Sequence, residues 1–273
     1  MTTSRQSPIG VFDSGVGGLT VLKALRQAMP AEHLVYLGDT ARLPYGTKSP
    51  QSISRYALQA TESLLNRGIK LLVVACNTAS AVALEALKAH LSPLPVVGVV
   101  EPGAKAAVSA RSAGRHLVLA TEATVRLGAY TAAIKRRDPD AAVHEIACEM
   151  LVALAEEGWT DGEIATAIVR RYVDPIIAGG NQPDTLILGC THFPLLRPAI
   201  RAVVEPGTAI VDSASTTADA VKELLASNGS GAPAGQVGRL DLLATDGATR
   251  FARIGGQFLG QQIASSDIEI VDL

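Results

Sequence analysis

The chain has 273 residues, 48% hydrophobic and 4% aromatic, which supplies one large or two modest cores. Its 24 Lys and Arg against 26 Asp and Glu leave a formal charge of -2, which excludes the basic surface that binding a phosphate backbone requires, so no nucleic-acid partner is expected. The longest apolar runs, LLVVA and VVGVV, fall far short of a membrane span, and MTTSRQSPIG has no apolar core of signal-peptide length, so a cytoplasmic protein without membrane contact is expected.

Strand-length apolar runs recur along the chain: IGVF (9–12), HLVYL (33–37), KLLVVA (70–75), PVVGVV (95–100), HLVLA (116–120), TLILG (185–189) and AIV (209–211). Helical patterns lie between them. Ser49-Pro50 opens one helix and Gly68 closes it, while Thr160 with Glu163 forms a capping-box pattern before another. Runs that are apolar throughout imply strands buried on both faces, so the fold class is α/β, with mainly parallel sheets covered by helices. GSGAPAG (229–235) reads as a flexible surface loop, and the stretch after it carries little pattern.

In such sheets the ligand lies beyond the carboxyl ends of the strands, which directs attention to DSGVGG (13–18), GDTARLPYG (38–46), ACNTAS (75–80) and GCTHFP (189–194). The last two are alike: an apolar strand, a small residue, a cysteine, two residues drawn from Asn, Thr and His, then a helix. Two similar half-molecules, each offering one cysteine to a site between them, follow from this pairing.

A cysteine at a strand end that opens a helix sits where backbone amides favour the thiolate, so lowered pKa values are expected at Cys76 and Cys190. Their polar neighbours Asn77, Thr78, Thr191 and His192 are poor choices for a dry core, whereas Cys148 lacks such company and reads as a small buried hydrophobe. Three widely spaced thiols do not make a disulfide framework, and no Cys-x-x-Cys marks a redox pair. Cys76, Cys190, His192 and Asp13 are chemically able to bind zinc, yet their spacing matches no ligand signature and no metal is expected.

The glycines of DSGVGG let amides converge on an anion at a helix start. As a dinucleotide fingerprint the loop is imperfect, with Thr20 in place of the third glycine and Asp39 at a ribose-binding distance. Asp13 and Ser14 suit an amino group better than a pyrophosphate. Tyr45 in LPYG fits a pocket wall and a turn brace equally well, and His33, His90, His116 and His144 read as structural or surface residues.

DSGVGG, LPYG, ACNTA and GCTHFP, in this order, resemble the glutamate racemase family, over residues 9 to about 225, and LLATDGATRFARIGGQFLG (242–260) is similar to that family's carboxyl-terminal segment. The resemblance implies two similar α/β domains, residues 1–99 with 212–273 and residues 100–211, holding the active site between them. It implies a cofactor-independent isomerase that interconverts L- and D-glutamate by two-thiol proton transfer and supplies D-glutamate for peptidoglycan. Cys76 would be the base toward D-glutamate with Asp13 assisting, and Cys190 the base toward L-glutamate with His192 assisting. Ser14, Tyr45, Gly46, Asn77, Thr78, Thr191 and His192, with Asp13, would contact the substrate, and a homodimer is implied by likeness alone. The chain departs from the family pattern at Ala120, where a glycine is common, and at Glu149, where a proline is common after the residue matching Cys148. Glu156 would match a glutamate that orients the histidine. The competing readings are a related cofactor-independent racemase acting on aspartate or another small amino acid, an NAD-dependent oxidoreductase, and a non-catalytic amino-acid-binding or interaction protein.

Overall fold

The computed structural model describes residues 4–178, 180 and 182–273. Among the described residues there are ten strands: β1 (Ile9–Asp13), β2 (Leu34–Gly38), β3 (Leu71–Val74), β4 (Val96–Gly98), β5 (Arg115–Ala120), β6 (Ala142–Ala147), β7 (Thr185–Gly189), β8 (Ala209–Asp212), β9 (Leu240–Ala244) and β10 (Ile268–Ile270). The helices are α1 (Leu19–Ala28), α2 (Pro50–Leu65), α3 (Asn77–Leu91), α4 (Val100–Ala110), α5 (Glu122–Leu127), α6 (Ala129–Arg137), α7 (Glu149–Glu157), α8 (Gly162–Ile177), α9 (Arg197–Arg201), α10 (Ser213–Ser227) and α11 (Ala248–Leu259). No helix among the described residues is long and apolar enough to cross a membrane.

Two sheets result, one ordered β10-β9-β2-β1-β3-β4 and one ordered β6-β5-β7-β8, with every pairing parallel. Side-chain alternation sends each central strand's residues into two cores. Leu71, Val73 and Ala75 of the β3 run, with Leu117 and Leu119 of β5 and Leu186 and Leu188 of β7, enter one cluster that spans both sheets and includes α10 and α11 residues. Leu72, Val74 and Cys76 face a second cluster with α2 and α3, and Val118, Ala120 and Ile187 face a third with α4 and α6. The expected α/β class and parallel sheets are present.

Several local readings need correction. Strands β6, β9 and β10 have no counterpart among the runs picked from the sequence. The edge strands β6 and β10 expose much of their length, and β6 reads AVHEIA, without the continuous apolar character of a central strand. Ser49 caps α2 as expected, accepting a hydrogen bond from the Ser52 N–H with Pro50 in the first turn. Thr160 does not cap α8, because Asp161 holds that position and makes no side-chain cap bond. Residues 229–235 form a loop that is tied down: Ala232 N–H donates to Glu32 and Arg5 Nε donates to the Gly231 carbonyl.

Candidate active site

Cys76 follows β3 and is the N-cap of α3, with extended backbone (φ -66°, ψ 121°) and Ala79 N–H donating to its sulfur at 3.4 Å. The Ser14 hydroxyl lies 3.4 Å from the same sulfur. The expected lowering of this thiol's pKa is overturned. Burial, and then the Asp13 charge, push it up to about 12, against the smaller opposing effects of Ser14 and the Ala79 amide. One amide at a helix start does not compensate for taking a thiolate out of water. Asp13, at the end of β1, is buried; Oδ2 accepts from Gly15 N–H at 3.0 Å while Oδ1 has no hydrogen-bond partner. Burial raises its carboxyl above the usual range, opposed by His192 and by the Gly18, Gly15 and Ser14 amides.

Cys190 leaves β7 into a different local structure. A 3-10 turn, Phe193–Leu196, follows it where an α-helix was expected, because Pro194 and Pro198 break the i to i-4 ladder before α9. Its sulfur lies 3.7 Å from His192 Nδ1, and His192 Nε2 lies 3.3 Å from Glu156 Oε1 on α7. Burial alone would lower the imidazole pKa. Cys190, Glu156 and Asp13 together outweigh burial and hold it up at about 10. The Glu156 carboxyl is held below its ordinary value, first by the His192 hydrogen bond.

The remaining sequence-selected residues gather around these two centres. Asn77 Oδ1 accepts from the Tyr130 hydroxyl at 2.7 Å, and Thr78 Oγ1 is 2.9 Å from Thr121 Oγ1. The Thr191 carbonyl accepts from the Thr20 hydroxyl at 2.9 Å, and the Gly46 carbonyl accepts from Ala123 N–H at 3.1 Å. Tyr45 departs from the pattern: its ring is buried beside Phe12 and its hydroxyl donates to Asp39, so only its backbone is free to meet a ligand. Gly17 permits a close approach that no other residue allows, since a Cβ there would stand 2.3 Å from Thr191 Oγ1 and 2.5 Å from the His192 ring. Thr121 and Tyr130 were missed in the sequence. Thr121 had a signal, directly following the HLVLA strand; Tyr130 lies mid-chain in α6 and had none.

Residues 9–221 match the model of the family described as Asp/Glu/Hydantoin racemase. The chain belongs to that family. A glutamate racemase of Geobacter metallireducens is 49% identical over 255 residues, covering 93% of each chain. The crystal structure of the Francisella tularensis glutamate racemase in complex with D-glutamate superposes with a TM-score of 0.90 at 31% identity, covering 98% of each chain. That of the Thermus thermophilus glutamate racemase with β-chloro-D-alanine gives 0.87 at 42% identity, covering 99% of this chain and 98% of that one.

As a racemase the chain is an isomerase, and the dinucleotide reading of DSGVGG falls with its key residue. The Asp39 carboxylate is wholly buried and already accepts from Arg42 Nε, Tyr45 and Thr245, leaving no oxygen for a ribose. Among the described residues no three His, Cys, Asp or Glu side chains converge as metal ligands would. Cys148 is buried, stands at the N-cap position of α7 without a side-chain cap bond, and its thiol is pushed up strongly, first by burial. Glu149, the departure noted beside it, accepts a hydrogen bond from Glu122 N–H at the first turn of α5, which a proline cannot do.

Proposed function

We propose that the chain is a cofactor-independent glutamate racemase that inverts the α-carbon with Cys76 and Cys190 as the two acid/base groups. The single observation that carries this reading is the pair of buried thiols, 5% and 6% exposed, at equivalent strand ends of two sheets and among convergent polar side chains. Naming of the relatives described above supports glutamate over aspartate.

Inversion needs one group to take the proton from one face and a second to deliver one to the other. With D-glutamate as substrate the Cys76 thiolate takes the α-proton and becomes a thiol, while the Cys190 thiol gives its proton to the opposite face of the carbanion and becomes a thiolate. With L-glutamate as substrate the roles exchange. A thiol pushed up to about 12 makes an uncommon but strong thiolate base, better matched to the very weak α-carbon acid than an ordinary thiol near ~8.5. Asp13 serves the first thiol and His192, oriented by Glu156, the second. Ser14, Asn77, Thr78, Thr191, His192 and the backbone of Tyr45 and Gly46 hold the carboxylates and amino group, and fixed dipoles in a closed site stabilise the carbanion in place of an electron-sink cofactor. The domain division falls at residues 1–99 with 212–273 and 100–211, the molecule works in the cytoplasm as a homodimer, and its D-glutamate enters peptidoglycan.

The test is incubation with L-glutamate and, separately, D-glutamate in D₂O without added cofactor, following optical rotation and α-deuterium. Both enantiomers are expected to reach zero rotation with deuterium at the α-carbon. Absence of both changes with glutamate, together with racemisation of aspartate, would transfer the assignment to the aspartate-specific reading.

A further inference from the structure

The relay behind Cys190 does not end at Glu156. Arg250, on α11, donates from a terminal guanidinium nitrogen to Glu156 Oε2 at 2.9 Å, so one carboxylate is held at one oxygen by Arg250 and at the other by His192. Helix α11 follows β9 of the six-stranded sheet, whereas α7 and Cys190 belong to the four-stranded one. The same helix touches the relay a second time. The Phe258 ring stands edge-on to the His192 imidazole, with centroids 5.0 Å apart and planes at 79°. Helix α11 also runs close to the end of α7, where a Cβ at Gly158 would stand 3.1 Å from the Gln257 side chain. The relay is thus gripped by a helix of the opposite half.

We propose that Arg250 is a positioning residue for the racemisation: it anchors Glu156, which in turn sets His192 against Cys190, so that the acid/base group of one half is completed by the other. This rests on the racemase reading above and deepens it. The physical reason is geometric first. A glutamate side chain has three rotatable bonds, and a single long contact of 3.3 Å to His192 leaves its carboxylate free to turn away; a second partner on the other oxygen removes that freedom. Electrostatics act in the same direction, since Arg250 is among the groups that hold the Glu156 carboxyl low. The charged and titratable groups facing His192 are Cys190 on its own loop, Glu156 on α7 and Asp13 on β1, with Arg250 acting through Glu156 and Phe258 contributing an apolar face. The Arg250 side chain is 57% exposed, so its influence is partial and screened by salt.

The experiment compares Arg250→Ala and Arg250→Lys, each alone and combined with Glu156→Gln, by steady-state kinetics, thermal melting and ¹⁵N NMR titration of the histidines without ligand. Arg250→Ala is expected to lower kcat about tenfold with little change in KM, to move the His192 midpoint down by about half a unit at low salt, and to leave the melting temperature nearly unchanged. Arg250→Lys recovers most of both losses, and neither Arg250 substitution adds a further loss once Glu156 is Gln, because the contact acts only through that carboxylate. An unmoved His192 titration, or a kcat loss that adds fully to that of Glu156→Gln, overturns the proposal. The titration is read on ligand-free protein, so a chain inert toward glutamate would sink the racemase reading while leaving the relay decided by NMR.

Discussion

The two cysteines occupy equivalent places in their sheets and live in unlike surroundings. By strand register Phe12 pairs with Val74 and Ala120 with Gly189, so β1 stands to β3 as β5 stands to β7. Extending the first pairing by two residues sets Ser14 level with Cys76, and extending the second by one sets Thr121 level with Cys190, so a hydroxyl-bearing residue matches each cysteine in register. One step earlier the halves diverge: Asp13 is a buried carboxyl, whereas its counterpart Ala120 offers nothing. Cys76 instead has a carboxylate neighbour and an α-helix start, and Cys190 has an imidazole backed by Glu156 and a 3-10 turn. A shared scaffold therefore places two thiols, and residues outside its repeat give them different polar partners. Burial first, and then the Asp13 anion, make the first thiol a reluctant acid.

The sharpest way to break this comparison is to remove one thiol at a time. Cys76→Ser and Cys190→Ser are each expected to reduce racemisation by roughly 10³-fold or more, within the range for loss of a positioned acid/base group. Their behaviour in D₂O should differ: Cys190→Ser exchanges the α-proton of D-glutamate without inversion, and Cys76→Ser does so only for L-glutamate. Exchange of both enantiomers by either variant would mean that the thiols do not serve separate faces. The next effect is steric. Gly17→Ala drives a methyl group into Thr191 and His192 and should lower kcat about 10²-fold by misplacing the second base. Gly46→Ala meets the Thr121 side chain at 3.0 Å, a contact that a small shift relieves, and a kcat loss equal to that of Gly17→Ala would contradict the difference in space.

The smallest effect lies in stability against pH. The folded His192 pKa of about 10 stands above its ordinary 6.5, so its contacts contribute stability fully below about 6.5 that is lost as pH rises through about 10. Melting temperatures of the intact chain and of His192→Asn should accordingly converge between pH 6.5 and 10. A gap that stays constant across that window would show that the imidazole is not held charged.

The four strand-end loops were legible because each packs chemistry-bearing residues into a few consecutive positions after an apolar run: Asp13 with Ser14, Cys76 with Asn77 and Thr78, and Cys190 with Thr191 and His192. The α/β class was legible for a related reason, since strands buried on both faces must be apolar throughout. Edge strands β6 and β10 escaped because exposure removes that requirement, and the Thr160 cap failed because two residues of the right type do not fix where a helix begins.

What the sequence determined, then, was everything set by local order: the strand ends, the residues that open from them and the pairing of two cysteine motifs. The tertiary structure alone decided the acid/base character of those residues. Cys76 sits at a helix start that by itself favours thiolate, yet desolvation and Asp13 reverse the sign. Arg250 reaches His192 only through Glu156, 94 residues away in the chain from its partner arginine. A pKa is the sum of burial and charges in every direction, and neither quantity exists until the two halves of the chain have folded against each other.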